Sequence, residues 1–204
     1  MSNRVAWFVF VFSAVSVGLY PVIYWFTDRT MGLLQGKTDV LVGNVLWNIG
    51  FHGNIVFGAI ALLVGWSQFS KKIAKTKTAW YTSLGEVYVW TAFIAGICAL
   101  YISFFAEGGF IASLGFAVLA ILWLFTTVQA YLAYKRKDMS LYRGMLLYSY
   151  ATCYATVTIR LWLPVTIAAF GDFLTAYKIV AWLCWVPNII FTYFWVRNKG
   201  LQIE

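Results

Sequence analysis

Six stretches of the chain, 5–26, 41–69, 80–105, 110–134, 145–170 and 174–196, run almost free of charge. Each reaches the ~19 residues or more that a helix needs to cross a hydrocarbon core of ~30 Å. Lipid offers no water to a backbone N–H or C=O, so only a helix or a closed β-barrel can make the crossing. Barrel strands alternate polar and apolar residues over about ten positions. These stretches do not alternate, and they predict an all-α, polytopic integral membrane protein of six transmembrane helices. Composition agrees: of 204 residues 62% are hydrophobic and 11% charged, where a soluble domain has about half and a quarter. The six stretches fill most of residues 1–204, which implies a single membrane domain with no length left for a soluble catalytic or nucleic-acid-binding module. The first follows Arg4 and contains SAVS. Its apolar run exceeds the ~7–15 residues of a secretory signal, so it is expected to remain as a span.

Orientation follows from the basic residues. Arg4, the group Lys71, Lys72, Lys75 and Lys77, the group Lys135, Arg136, Lys137 and Arg143, and the pair Arg197 and Lys199 fall on one side of six alternating spans. Arg29, Lys37 and Lys178 fall on the other. Basic loops stay cytoplasmic, so both termini are expected inside. The net charge of +8 then marks topology and contact with anionic membrane lipid, and no nucleic-acid partner is expected. Cys98, Cys153 and Cys184 all fall within spans and read as small packing residues. No CxxC, HExxH, phosphate loop or GxSxG elbow is present.

Ionisable and polar residues inside a span are costly, and they are the natural candidates for function. The segment YATVTIRLWLP, Tyr154 to Pro164, places Arg160 in an otherwise apolar run. Tyr148, Thr152, Thr156 and Arg160 recur every four residues, as do Asn44, Asn48 and His52 on the second span; such spacing aligns each set on one helix face. Arg160 and the Asn48–His52 pair both lie ~10–17 Å from the outer ends, so the stripes can meet at one level. Glu86 is about 9 Å inside the other edge while Arg160 is ~22 Å from it, which argues against a direct ion pair. Glu86 could instead reach the Lys71–Lys77 loop. Pro164 cannot donate to the Arg160 carbonyl, which frees an acceptor and predicts a kink there. The competing roles for Arg160 are snorkelling to the outer headgroups and tying helices together. One histidine, His52, cannot build a multi-ligand metal site, so no metal is expected. Gly50, Gly53, Gly58, Gly85, Gly96 and Gly115 would allow close helix packing. Trp7, Trp80, Tyr81, Trp123 and Trp195 suit interfacial belts.

Several phrases together carry a resemblance: FGAIALLVGWSQF at 57–69, LGEVYV at 84–89, FFAEGGFIASLGF at 104–116, YSYATCYATVTIRLWLP at 148–164 and AYKIVAWLCWVPN at 176–188. Over most of residues 30–196 the chain resembles the bacterial membrane family known as domain of unknown function 2306, in the versions found in Bacteroidetes-type bacteria. The resemblance implies the bacterial cytoplasmic (inner) membrane and no particular activity. The family pattern usually has histidines at three places, which here hold Asn54, Tyr81 and Tyr142. A bis-histidine haem is excluded by the single histidine. What remains of the pattern is the Arg160 phrase with Thr156, Thr158 and Pro164, and the CWVPN phrase with Asn188.

Three functional readings follow. In the favoured one, an intramembrane cavity between the second, third and fifth spans binds a lipid-soluble or anionic molecule such as a quinone or isoprenoid. Arg160 holds its carbonyl or acidic group, Asn48 and Asn54 orient it, and His52, Tyr148 and Thr156 line the site, as in pockets that are mostly apolar with a few convergent polar groups. No general base is evident, so no catalytic residue is assigned. In the second, breaks at Pro164 and Pro187 serve a small-molecule or ion transporter. In the third, the polar stripes only specify packing in a structural or assembly subunit.

Overall fold

The computed structural model describes residues 2–24, 43–70 and 78–198, and every regular element in them is helical. The helices are α1 Ser2–Tyr24, α2 Val45–Gly65, α3 Thr78–Ser103, α4 Phe110–Lys135, α5 Met139–Cys153, α6 Ala155–Phe170, α7 Phe173–Leu183 and α8 Val186–Asn198. A 3-10 turn, Trp66–Phe69, extends α2. With α5 and α6 in line as one crossing and α7 and α8 as another, six segments are long and apolar enough to span a membrane. Arg29, Lys37, Lys71, Lys72, Lys75, Lys77 and Lys199 lie outside the described residues, as does the expected start of the second span at 41.

Polar caps set several helix ends. The Asn44 side chain accepts from Trp47 N at 3.1 Å and opens α2. Asp138 accepts from Ser140 N and Leu141 N at 3.1 and 3.0 Å. An aspartate there satisfies the first free amides of a helix, so the fifth span starts at Met139 rather than at the expected 145. Gly171, with φ +70°, closes α6 in the left-handed conformation that glycine adopts without strain. Asp172 then caps α7 by accepting from Thr175 N at 2.8 Å. Fifth and sixth spans are thereby joined by a tight reversal.

Glycines and large aromatic residues fit together where the helices pack. At Gly65 an added Cβ would collide with the Tyr150 ring. That contact lets Tyr150 of α5 reach across and donate to the Leu62 carbonyl at 3.0 Å. Around it Tyr88, Ala92, Trp123, Leu146 and Cys153 form the buried centre of α2 to α5. Trp123 is only 6% exposed, so it is a core residue and not the interfacial one its sequence suggested. It lies far from both ends of α4, packed among the helices of the central cluster.

The fifth and sixth spans are each broken, at Tyr154 and at Cys184–Trp185. At the first break the Tyr154 carbonyl accepts from both Val157 N at 2.9 Å and Thr158 N at 3.2 Å, a local tightening of the helical turn. Pro164, where the kink was expected, lies inside a helix that continues to Phe170. The sixth span breaks just before Pro187, whose missing N–H is harmless in the first turn of α8.

Candidate ligand site at Arg160

Arg160 lies about 15 Å from the Phe170 end of the fifth span, the nearer of its two ends. Its Nη1 donates to the Thr156 carbonyl at 2.6 Å. A helical side chain leans toward the helix N-terminus, and this bond fixes it so. The guanidinium therefore turns back toward the break at Tyr154 and away from the nearer membrane edge, the reverse of snorkelling. Its carbon stands 5.0 Å over the centroid of the Tyr20 ring on α1, within the range of a cation–π contact. Arg160 is half-buried, with Thr156 exposed beside it.

A second contact holds α1 in this position. Ser13 Oγ and Tyr154 Oη share a hydrogen bond at 2.5 Å, and Phe10 stacks on Tyr154 at 5.1 Å. Residue numbers rise together along both helices, 13 with 154 and 20 with 160, so α1 and α6 run parallel. First and fifth of six alternating spans must do so. On its other side α1 meets α2, where Gly18 admits the Leu63 side chain. Arg160 thus occupies the seam between α1 and α6, a fixed cation with a carbonyl on one side and an aromatic face on the other. Such a group can hold a carboxylate, a phosphate or a polarised carbonyl.

The other expected site residues take different positions. Asn48 and His52 do come together, but along their own helix: Asn48 Nδ2 donates to the Asn44 carbonyl at 2.9 Å and His52 Nδ1 lies 2.9 Å from the Asn48 carbonyl. His52 is exposed. Asn54 donates to the Ala95 carbonyl of α3 at 3.1 Å and binds those two helices. Tyr148 is half-buried on α5. The stripe Tyr148, Thr152, Thr156, Arg160 is divided by the break at Tyr154, leaving Thr152 buried and Thr156 exposed. Among the described residues no three His, Cys, Asp or Glu side chains gather as metal ligands would.

Two polar clusters went unread in the sequence. Asn188 Nδ2 lies within 3.2 Å of the Ala151 carbonyl and Thr158 Oγ1 and 3.1 Å from the Cys184 carbonyl. Thr158 also donates to the Cys184 carbonyl. This clamp joins the two broken spans at one level and satisfies carbonyls that the breaks release. The second cluster gathers at Gln68: its Nε2 donates to the Tyr81 carbonyl at 3.0 Å, Tyr81 Oη donates to the Gln68 carbonyl at 3.1 Å, and Tyr142 Oη reaches Gln68 Oε1 at 3.5 Å. Tyr20 was missed because a tyrosine near a span end reads as an interfacial anchor. Only the packing of α1 on α6 gives it another role.

The family described as predicted membrane protein (DUF2306) matches residues 51–196, which include α3 to α7 complete, most of α2 and α8, and both halves of the Asn188 clamp. No curated protein and no solved structure matches the chain.

Proposed function

The chain thus belongs to the predicted membrane protein family DUF2306, and from that premise we propose that this multi-pass integral membrane protein holds a small lipid-soluble or anionic molecule by its acidic or carbonyl head at Arg160. The supporting observation is the direction of the guanidinium, turned into the membrane by the Thr156 carbonyl and seated on Tyr20. A structural cation would gain more by reaching the nearer headgroups. Quinones and isoprenoids carrying an acidic or carbonyl group have the required combination of polar head and apolar body. The site lies on the seam of α1 and α6; Asn54 instead ties α2 to α3, and Asn48 and His52 bond along their own helix. Neither a haem nor a metal is needed. In this reading the chain is one membrane domain over 1–204 in the inner membrane of a Bacteroidetes-type bacterium, with both termini cytoplasmic. The clustering of Lys and Arg on one side supports the orientation. Asn54, Tyr81 and Tyr142 stand in the family's histidine slots, and their bonds to Ala95 and Gln68 favour structural roles there.

The test is thermal unfolding of the detergent-purified protein titrated with a long-chain carboxylate and with a long-chain quinone. A ligand at 100 times its Kd stabilises the folded state by about 2.7 kcal/mol. The expected result is a saturable rise in midpoint with at least one of them, lost in Arg160→Ala and partly kept in Arg160→Lys. An equal rise in all three proteins would place binding elsewhere.

The paired breaks of spans five and six favour one other reading, a small-molecule or ion transporter. Against it, the Ala151 and Cys184 carbonyls at those breaks already accept from Asn188 and Thr158.

A further inference from the structure

On the α3–α4 seam, away from Arg160, a cleft of about 200 Å³ is lined by Val89, Trp90, Phe93, Thr127, Val128 and Tyr131. Its accessible lining is wholly apolar. The volume is below the ~300–1,000 Å³ of a pocket that encloses a compact ligand, and suits a length of hydrocarbon chain. On α3 the cleft residues continue in three- and four-residue steps to Glu86, and on α4 to Lys135, so both charged residues share the cleft's face. The Trp90 and Tyr131 rings, 6.5 Å apart, set the level. From that level Glu86 is one turn toward the start of α3 and Lys135 one turn toward the end of α4. In antiparallel neighbours these are the same direction, so a carboxylate and an ammonium lie toward the same end of an apolar cleft.

Lys135 lies over Tyr131, 5.4 Å from the ring centroid. Both Glu86 and Lys135 are exposed, and among the described residues neither makes an ion pair. Lys135 is the last residue of α4, so Glu86, level with it, stands near that edge of the bundle on the outward face of its helix, where a lipid headgroup is the natural partner. The partner must bring a cation for Glu86, an anion for Lys135 and a hydrocarbon tail for the cleft. We infer that the α3–α4 cleft binds a phospholipid with a primary ammonium head: one acyl chain lies in the cleft, Lys135 holds the phosphate, and Glu86 accepts hydrogen bonds from the ammonium. A quaternary ammonium has no N–H to donate, and a glycerol head has no cation.

The full chain in bilayer discs of equimolar phosphatidylethanolamine, phosphatidylcholine and phosphatidylglycerol, examined by native mass spectrometry, tests this. One phosphatidylethanolamine should be retained per chain, about tenfold over each competitor, the effect of one charge-assisted hydrogen bond. Glu86→Gln should erase the preference and Lys135→Gln should lower retention of the bound lipid; both sites are exposed, so the fold is preserved. Equal retention of the three lipids by the unmodified chain, enrichment of phosphatidylglycerol, a preference that survives Glu86→Gln, or a second copy of the chain covering the cleft would each overturn the inference. The site shares no residue with the Arg160 seam, so the two stand or fall separately.

Discussion

A charged side chain at the centre of a transmembrane helix costs about 2.5–3.5 kcal/mol on insertion scales. The hydrogen bond from Arg160 to the Thr156 carbonyl is charge-assisted and returns about 1.5–3 kcal/mol. Its position over Tyr20 adds about 0.5–2 kcal/mol. These two contacts are of the size needed to offset the cost, so the fold tolerates Arg160 with or without a ligand. Arg160→Ala should accordingly lose binding and keep its folded structure. Asn188 differs, because its carboxamide has two N–H groups spread over three acceptors that two separate helix breaks provide. Asn188→Ala leaves the Ala151 carbonyl and part of the demand at Cys184 unmet. It should lower stability by about 1–3 kcal/mol, read as a fall in unfolding free energy in mixed micelles. A change within ~0.5 kcal/mol, as for an ordinary surface substitution, would show that the clamp does not stabilise the fold. At this scale Arg160 stood out in the sequence because it was the one cation in a long apolar run. Tyr20 and the Thr158–Asn188 pair did not, since each contact joins residues that only the packed bundle brings together.

Helices were legible in proportion to their length. Apolar runs located all six spans, while the caps corrected their ends: Asp138 moved the start of the fifth span to Met139, and Gly171 with Asp172 set the turn between the last two. The breaks were harder to see. Pro164 lies inside α6, and the break in the span falls ten residues earlier at Tyr154, a residue with no special backbone preference. There the docking of Phe10 and Ser13 against the tyrosine ring and hydroxyl supports a local turn that no short sequence pattern encodes. Pro187 was a better guide, standing just past the second break. The cap of α7 carries a pH dependence. Hydrogen bonds from the Thr175 hydroxyl and amide hold the Asp172 carboxyl below the usual aspartate range. A depressed folded pKa gives stabilisation that is complete above the unfolded value of ~3.9 and is lost as pH falls through the folded value. Protection factors of the first-turn amides of α7 should therefore fall once the pH drops below ~3.9, and Asp172→Asn should flatten that dependence. Exchange that responds identically in both proteins would assign the pH effect to another group.

As a whole the molecule is a packed centre, α2 to α5, with broken spans on one side and α1 laid against α2 and α6. The parallel course of α1 and α6 agrees with six alternating crossings, and the proposed orientation sets the basic residues at 71–77 and 136–138 on the cytoplasmic side. A membrane-impermeant thiol reagent should label a cysteine placed at Lys75 or Lys137 only after the cells are opened; labelling of intact cells would reverse the orientation. Class and crossing number could be read from the sequence, because the bilayer constrains length and polarity so strongly. The partners of Arg160 could not, because they depend on which helix comes to rest beside the fifth span. Whether Arg160 anchors a bound molecule is decided by mass spectrometry of the molecules carried by gently purified protein, compared with Arg160→Ala prepared the same way. One molecule per chain with an acidic or carbonyl head and an apolar body, present in the first and missing from the second, is the predicted result. The same bulk phospholipid in both, and nothing else, would contradict it.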